Sequence, residues 1–346
     1  MLFRSGGFEG DKDRLLAWRY RDYVIEAFNR DKPYSLFLQE QIAGDEIRPN
    51  DREALIATGY LGCGPQDIVE NNARTRANEL DDLVATTGSV VLGLTVGCAR
   101  CHDHKYDPVT MKDYYRLSSV FAPTVRKEID VPTEAERKEI ESHNSALETL
   151  LTPLRKQAEP LLAQGRTLAT KAGQVNPEQE QILKALPEAE RKTLQDLLAQ
   201  IQKFEGQRRA YPHAQIVTDS GRTFAPTHLL LRGDAYHKGE IVQPGFIRAV
   251  YGGEREVPLA PNEVQTTGRR RALAEWLTDA KNPLTARVWV NRVWRQHFGR
   301  GIVNSPGNFG LNGELPSHPE LLDRKSTRLN SSHTVISYAV FCLKKK

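Results

Sequence analysis

The sequence predicts a mainly α-helical protein, on three observations. Apolar residues recur at three- and four-residue intervals over most of positions 14–121 and 270–298. Thr133 to Arg209 is rich in Glu, Lys, Gln, Leu and Ala and opens on a capping-box pattern, Thr133-x-x-Glu136. Strand-like runs are confined to Ile216–Val264, where Gly and Pro break them into short pieces.

Taken in order, Arg14 to Arg30 places Leu15, Trp18, Val24, Ile25 and Phe28 at helical spacing. A second helix enters through Pro33 and covers Tyr34 to Ile42, with Phe37, Leu38 and Ile42 packing on the first. Asp51 to Leu61 reads as a third, stopped by Gly62 and Gly64, and Cys63 in that loop reads as a small buried residue. Arg76 to Leu92 is a longer helix whose Leu80, Leu83, Val84, Thr87, Val90 and Val91 face inward. Its adjacent Asp81 and Asp82 cannot share a helix face, so they read as a solvated surface and not as a catalytic carboxylate pair. Lys112 to Phe121 is a short helix. Thr133 to Arg209 holds two long amphipathic helices, the later one opened by Asn176-Pro177, and reads as an antiparallel hairpin insertion. Leu229–Leu231, Ile241-Val242 and Phe246–Tyr251 are the β-like runs. Arg270 to Leu277 is helical again, and Asn282 caps a last helix with Pro283 at its first position, running to Phe298 and stopped by Gly299. His297 falls inside that helix's apolar arc and reads as a core histidine with one hydrogen-bond partner.

Both ends carry a separate signal. Asp323 to His333 reads back into codons as a short-read sequencing adapter, Thr334-Val335 as a six-base index and Ile336–Lys346 as adapter running into poly-A; Met1–Ser5 fits the opposite adapter. Both ends are expected to be artefacts, with Met1–Ser5 and Arg324–Lys346 packing on nothing, around a natural fragment of about Gly6 to Leu322 and with Asp323 assignable to either side. The resulting division is 1–5 artefact, 6–125 helical domain, 126–210 hairpin insertion, 211–265 β-containing connector, 266–322 start of a second helical domain, and 323–346 artefact.

Lys and Arg number 48 against 44 Asp and Glu. Seven of the 48 lie outside Gly6–Asp323, leaving 41 against 44 and a net charge near −3 for that stretch. No basic surface then argues for nucleic acid. Cys63, Cys98 and Cys101 do not make a disulfide framework, and no apolar run reaches the ~18 residues of a membrane span. No G-x-S-x-G elbow, phosphate-binding glycine loop or H-E-x-x-H is present, so no hydrolase or transferase signature appears.

The chemistry-bearing stretch is Gly97-Cys98-Ala99-Arg100-Cys101-His102-Asp103-His104-Lys105-Tyr106-Asp107-Pro108. Cys-x-x-Cys-His is the attachment pattern of a c-type haem. Two thiols three positions apart can add to the two vinyl groups of one porphyrin, and the following histidine then sits under the iron. The apolar run Val90–Val96 suits either a haem pocket or an ordinary core. Three readings stand open. In the first, Cys98, Cys101 and His102 hold haem c. In the second, His102, Asp103, His104 and Asp107 hold a single divalent metal ion. In the third, Cys98 and Cys101 form a redox-active or structural disulfide. A sixth iron ligand is not evident: Met111 and His104 lie too close in sequence to reach the opposite haem face, which leaves His228, His237, His297 or His318, or an open site.

Gly93–Pro108 resembles the hallmark of a planctomycete-specific cytochrome-like domain of unknown function. Arg287–Val303, preceded by Asn282-Pro283-Leu284-Thr285-Ala286, resembles the start of a second planctomycete-specific domain. The resemblance covers Gly6 to about Phe121 and Arg269 to Leu322. In such proteins the two domains occur together, often behind a cytochrome c-like domain and an export signal. Gly307-Asn308 precedes Phe309-Gly310 where the pattern has an acidic residue, which argues against a cation at that turn. The resemblance implies a periplasmic or cell-surface protein that binds haem and transfers electrons to a redox partner or envelope component. The alternative is a non-catalytic envelope scaffold with a structural metal or disulfide at the same motif.

Overall fold

The computed structural model describes residues 13–65, 72–253, 257 and 265–331. The expectations for Met1–Ser5, for the end of the connector at 258–264 and for Ser332 onward lie outside the described residues. The described chain is mainly α: twelve α-helices and two two-stranded sheets. It divides into two compact units, one of residues 1–129 and 214–346, the other of Asp130–His213. The hairpin insertion thus has a core of its own, while the segments expected as first domain, connector and second domain share one unit.

In the larger unit, α1 (Ala17–Asn29) turns a different face inward from the one its apolar spacing suggests. Tyr20, Tyr23 and Ala27 are buried, whereas Leu15, Trp18, Ile25 and Phe28 are exposed. The reason lies in α2 (Tyr34–Ile47), whose buried polar groups need partners. Tyr20 Oη donates to Gln41 Oε1 at 2.6 Å, and Tyr23 Oη donates to Glu40 Oε2 at 2.8 Å. Helix α2 kinks at Ala43, and a Cβ on the following Gly44 would lie 2.0 Å from the Ala54 carbonyl, so only glycine allows α3 (Arg52–Ala57) this close. A 3-10 turn over Thr58–Gly62 completes the segment expected as one helix.

Helix α4 (Ala73–Thr87) widens into a π turn, Gly88–Leu92, that ends on Gly93 in the left-handed region, φ +63°. Helix α5 (Met111–Phe121) starts on a capping box of Thr110 and Asp113 and buries Tyr114, Tyr115, Leu117, Val120 and Phe121 at the centre of the main core. Val91, Leu92, Leu94, Val96 and Ala99 join the same core, so the apolar run before the motif is ordinary core. Strand β1 (Thr124–Asp130) pairs with β2 (His213–Asp219), and β3 (Thr227–Leu230) pairs antiparallel with β4 (Lys238–Val242). The run expected as a strand at Phe246–Tyr251 instead ends in the one-turn helix α9 (Arg248–Tyr251). Phe246 there stacks on Trp276 at 4.9 Å, so burial and not strand pairing explains its apolar character.

Unit Asp130–His213 is built on α6 (Glu134–Lys171), α7 (Gln179–Ala185) and α8 (Glu188–Glu205). The capping box at Thr133 and Glu136 opens α6 as expected. Ala158, Leu186, Leu194 and Leu197 form the core, and Gly165 permits α7 to approach, since a Cβ there would lie 2.7 Å from Ile182 Cγ2. The return arm is two helices because Pro187 interrupts it.

The C-terminal helices are α10 (Arg269–Thr278), α11 (Thr285–Phe298) and α12 (Pro319–Ser331). The Asn282 side chain accepts from the Leu284 and Thr285 amides as a turn before the helix, but α11 begins at Thr285 with Leu284 at its N-cap position, two residues later than expected. His297 is exposed, edge-on to Phe298 at 6.4 Å. The last turn of α11 has left the core by then, which overturns the core-histidine reading. Asn291, fully buried, exchanges two hydrogen bonds of 2.8 Å with the Val303 backbone and fixes the chain after α11. Helix α12 runs through the segment read as adapter. Leu322, the last residue of the natural fragment, enters a core with Val290, Ile302 and Val303, and Asp323 pairs with Arg287 at 2.9 Å; within the adapter-like tail Ser326 is buried, so a tail that packs on nothing does not hold there.

One side chain ties three remote segments together. Arg270 on α10 is fully buried. It donates to both Asp45 oxygens at 2.7 and 2.8 Å, to Asp219 Oδ1 at 2.9 Å and to the Ile42 carbonyl at 3.2 Å, and pairs with Glu46 at 3.2 Å. Three carboxylates against one guanidinium leave excess negative charge. Burial, opposed by Arg270 and reinforced by Asp219 and Asp45, pushes the Glu46 carboxyl up to about 7.

Replacing Arg270 with Met is therefore expected to cost on the order of 3–5 kcal/mol, because three buried carboxylates lose their counter-charge; urea titration measures it. Glu46 has a folded-state pKa above its unfolded value of 4.5. Its contribution is full below about pH 4.5 and is lost as pH rises through about 7. Glu46→Gln should abolish that fall, and at pH 8 the variant should be at least as stable as the wild type. A thermal-midpoint profile with unchanged pH dependence would contradict this.

Candidate functional site

The motif follows directly from the π turn and Gly93. Thr95 starts a 3-10 turn, Val96–Arg100, closed by the Cys98 amide donating to the Thr95 carbonyl at 3.2 Å. Val96 and Ala99 point into the core, which turns Cys98 and Cys101 outward. Both thiols are free and exposed. Arg100 Nη1 donates to Asp81 at 3.2 Å and its Nη2 to Asn78 at 2.8 Å, while Tyr115 Oη donates to the Arg100 carbonyl at 3.0 Å. Asp81 also accepts from Tyr114 Oη at 2.7 Å. Asp81 is thus an anchor of the motif and not the solvated surface expected, although it and Asp82 do point apart.

The two histidines differ. His104 is nearly buried, with a side chain 6% exposed. Its Nδ1 accepts the Asp107 amide at 2.9 Å, so Nε2 carries the hydrogen and donates to Thr95 Oγ1 at 2.9 Å. Both ring nitrogens are occupied, and His104 closes the loop on its own beginning. His102 is exposed. Its Nδ1 lies 2.7 Å from the Asp103 carbonyl, which only accepts, so Nδ1 donates and Nε2 keeps a free lone pair.

Asp103 and Asp107 also serve the loop. Asp103 Oδ1 accepts the Met111 amide at 2.8 Å, at the start of α5. Asp107, buried, accepts the Leu311 amide at 2.6 Å, and its other oxygen lies 3.5 Å from His104 Nδ1. The four residues expected as metal ligands are therefore divided: His104 and Asp107 meet, Asp103 faces a helix amide and His102 faces solvent. Among the described residues no group of three or more His, Cys, Asp or Glu is gathered to hold a metal ion.

The segment after α11 locks onto this loop. The Phe309 amide donates to the Gly93 carbonyl at 2.6 Å. A Cβ on Gly93 would meet Phe309 and Val288 at 2.8 Å, and one on Gly310 would lie 2.3 Å from both Asp107 oxygens. The Phe309-Gly310 turn therefore docks on the motif through glycines at 93 and 310. On another side, Gly233, at φ +74°, brings its backbone against Cys101; a Cβ there would lie 2.7 Å from Sγ.

The other expected ligand candidates are placed as follows. Met111 packs partly against the main core, and His228 Nδ1 bonds the Gly239 carbonyl at 3.0 Å. His237 pairs with Asp234 at 2.7 Å on the surface, and His318 Nδ1 lies 3.1 Å from Ser317 Oγ. Cys63 donates to the Gly59 carbonyl, and burial, countered by Arg14 and Arg126, pushes its thiol up to about 11, consistent with a packed residue and not a ligand. Thr95, Arg100, Tyr115 and Gly233 were not expected at the site. Their only sequence signal is proximity to Cys-x-x-Cys for the first two, and none exists for the others.

Residues 3–126 match the family model PSCyt2, protein of unknown function (DUF1549), and residues 269–336 match PSD1, protein of unknown function (DUF1553). The pairing of the planctomycete cytochrome-like domain with its companion, expected from the two motifs, is thereby supported at both ends of the chain. No curated protein and no solved structure matches.

Gly310→Ala is expected to cost about 1–3 kcal/mol by forcing Asp107 off the Leu311 amide. Hydrogen exchange should show faster exchange at Leu311 in that variant, and unchanged protection there would rule out the docked turn.

Proposed function

We propose that Cys98, Cys101 and His102 attach one haem c, and that the protein passes electrons to a redox partner in the cell envelope. The observation that carries this reading is the state of His102. Its Nδ1–H donates to the Asp103 carbonyl at 2.7 Å, which orients the ring and leaves Nε2 free for a metal, next to two free, exposed thiols. Such a group, when bound, would supply a one-electron couple. The chain's own residues do the rest. Val96 and Ala99 anchor the turn so that both thiols face outward. Arg100 and Tyr115 hold the turn on α4 and α5. His104 and Asp107 hold the loop shut and are supports in this reading, not ligands. That reading also suits the cytochrome-like name, PSCyt2, of the matched family model, whose description is of unknown function.

The test is expression of the full gene product with export and haem-maturation machinery. Haem stain should survive boiling on a denaturing gel, weaken in Cys101→Ser, and disappear when Cys98 and Cys101 are both replaced by Ser. His102→Ala should leave attached haem with a shifted Soret band. A colourless wild type that binds zinc or calcium stoichiometrically would replace haem with a metal site. A colourless wild type with Cys98 and Cys101 oxidised would leave an envelope scaffold stapled by a disulfide.

The same chemistry implies a location outside the cytoplasm, in the periplasm or on the cell surface, because thioether attachment and a Cys-x-x-Cys disulfide both need a non-reducing compartment. Fractionated cells should hold the protein in the envelope. Recovery wholly in the cytosol, with both thiols open to alkylation, would remove the haem and disulfide readings together. No helix among the described residues is long and apolar enough to cross a membrane.

A further inference from the structure

A cavity of about 440 Å³ lies in the larger unit, between α4, the start of β1 and the turn after β2, away from the Cys-x-x-Cys residues. Its volume is that of a small-molecule site. Leu83 and Phe224 are among its apolar walls, and Phe224 is 41% exposed. Four charged side chains enter it: Arg76, Glu79, Asp82 and Arg126.

Two of the four are satisfied. Glu79 receives Arg76 Nη1 at 2.9 Å and Arg126 Nη1 at 3.1 Å, one on each oxygen. Arg76 Nη2 reaches the Thr124 carbonyl at 2.7 Å. The other two each keep an open valence. Arg126 Nε is buried with no acceptor among the described residues. Asp82 accepts no hydrogen bond from the described residues, and Gly64 presses its backbone against the carboxylate, where a Cβ would lie 2.1 Å from Oδ2. Burial and the neighbouring Asp81, partly offset by Arg126, hold the Asp82 carboxyl above its ordinary range. A buried donor left without an acceptor is costly, and the half-buried Asp82 carboxylate lines the same cavity with its oxygens open to a donor.

We propose that this cavity binds a neutral polyhydroxylated small molecule of about monosaccharide size, with hydroxyls donating to Asp82 and accepting from Arg126 Nε. Charge balance supports neutrality: two arginines face two carboxylates, so neither a net anion nor a net cation gains. The hydroxyl is the group that both donates and accepts at one atom, which is what an open carboxylate beside an open N–H requires. The apolar side fits the C–H face of a ring set against Phe224 and Leu83. Asp82 and Arg126 Nε then are kept open in the free protein because the ligand completes them.

Ligand-observed NMR on the full chain tests this, with D-glucose, D-galactose and myo-inositol as probes and n-butylammonium and N-methylacetamide as comparisons. At least one polyol should bind and the two comparison compounds should not. Asp82→Asn and Arg126→Lys should each weaken that binding about tenfold or more. Asp82→Asn should leave the thermal midpoint unchanged or raise it, since a half-buried carboxylate with no donor of its own is removed; a normal midpoint shows that loss of binding is not loss of fold. The proposal is overturned if no polyol binds at 50-fold molar excess and above, at roughly millimolar affinity. It is also overturned if binding survives both substitutions, or if the cation or the amide is the compound that responds to them.

Discussion

The buried guanidinium of Arg270 is the constraint on which the larger unit depends. It belongs to α10, close to the start of the second matched segment, and its partners belong to α2 and β2. No water-exposed surface offsets a charge at this depth, so each hydrogen bond must be made within the protein. Asp45 takes two guanidinium nitrogens, Asp219 a third, and Asp219 also accepts from the Thr267 amide and hydroxyl at 2.9 and 2.5 Å. The first matched segment, the connector and the second matched segment cannot part without leaving charges unpaired. This is the physical reason the connector and the second segment share a core with the first.

The motif loop depends on that joint placement. A Cys-x-x-Cys-His sequence on its own would be a short mobile turn. Here Thr95, His104 and Asp107 cross-link it from within, and the turn at Phe309–Leu311, supplied by the second segment, donates the Leu311 amide to the Asp107 carboxylate from outside. The extra polar residues of the motif therefore hold the loop and leave His102 as the histidine with a free nitrogen.

The unit Asp130–His213 follows different rules. Its core is a thin stripe of Ala and Leu, and Arg155 bridges Glu148 and Glu205 at 2.8 Å on the surface between α6 and α8. Exposed pairs of this kind contribute little each, so the stripe and the close contact at Gly165 carry the packing. Nothing of the motif's chemistry resides there.

Local signals in the sequence determined the helices, the capping box at Thr133, the turn at Asn282, the hairpin insertion and the motif, because hydrogen-bonding and periodicity within one segment are enough to set them. They also carried the resemblance that the matches at 3–126 and 269–336 support. Tertiary structure decided which faces are used. Apolar spacing chose the wrong side of α1, since it cannot weigh Tyr20 and Tyr23 against the buried acceptors of α2. It placed His297 in the core, since it cannot see where α11 leaves its neighbours. Sequence position alone read Asp81 as solvated and left His104 and Asp107 open as ligands in one of three readings, since their partners Arg100, Tyr114, Thr95 and Leu311 lie in other turns or far along the chain. A side chain's donor and acceptor inventory is written in the sequence, but its partner is a matter of distance in space, and only the folded chain sets that distance.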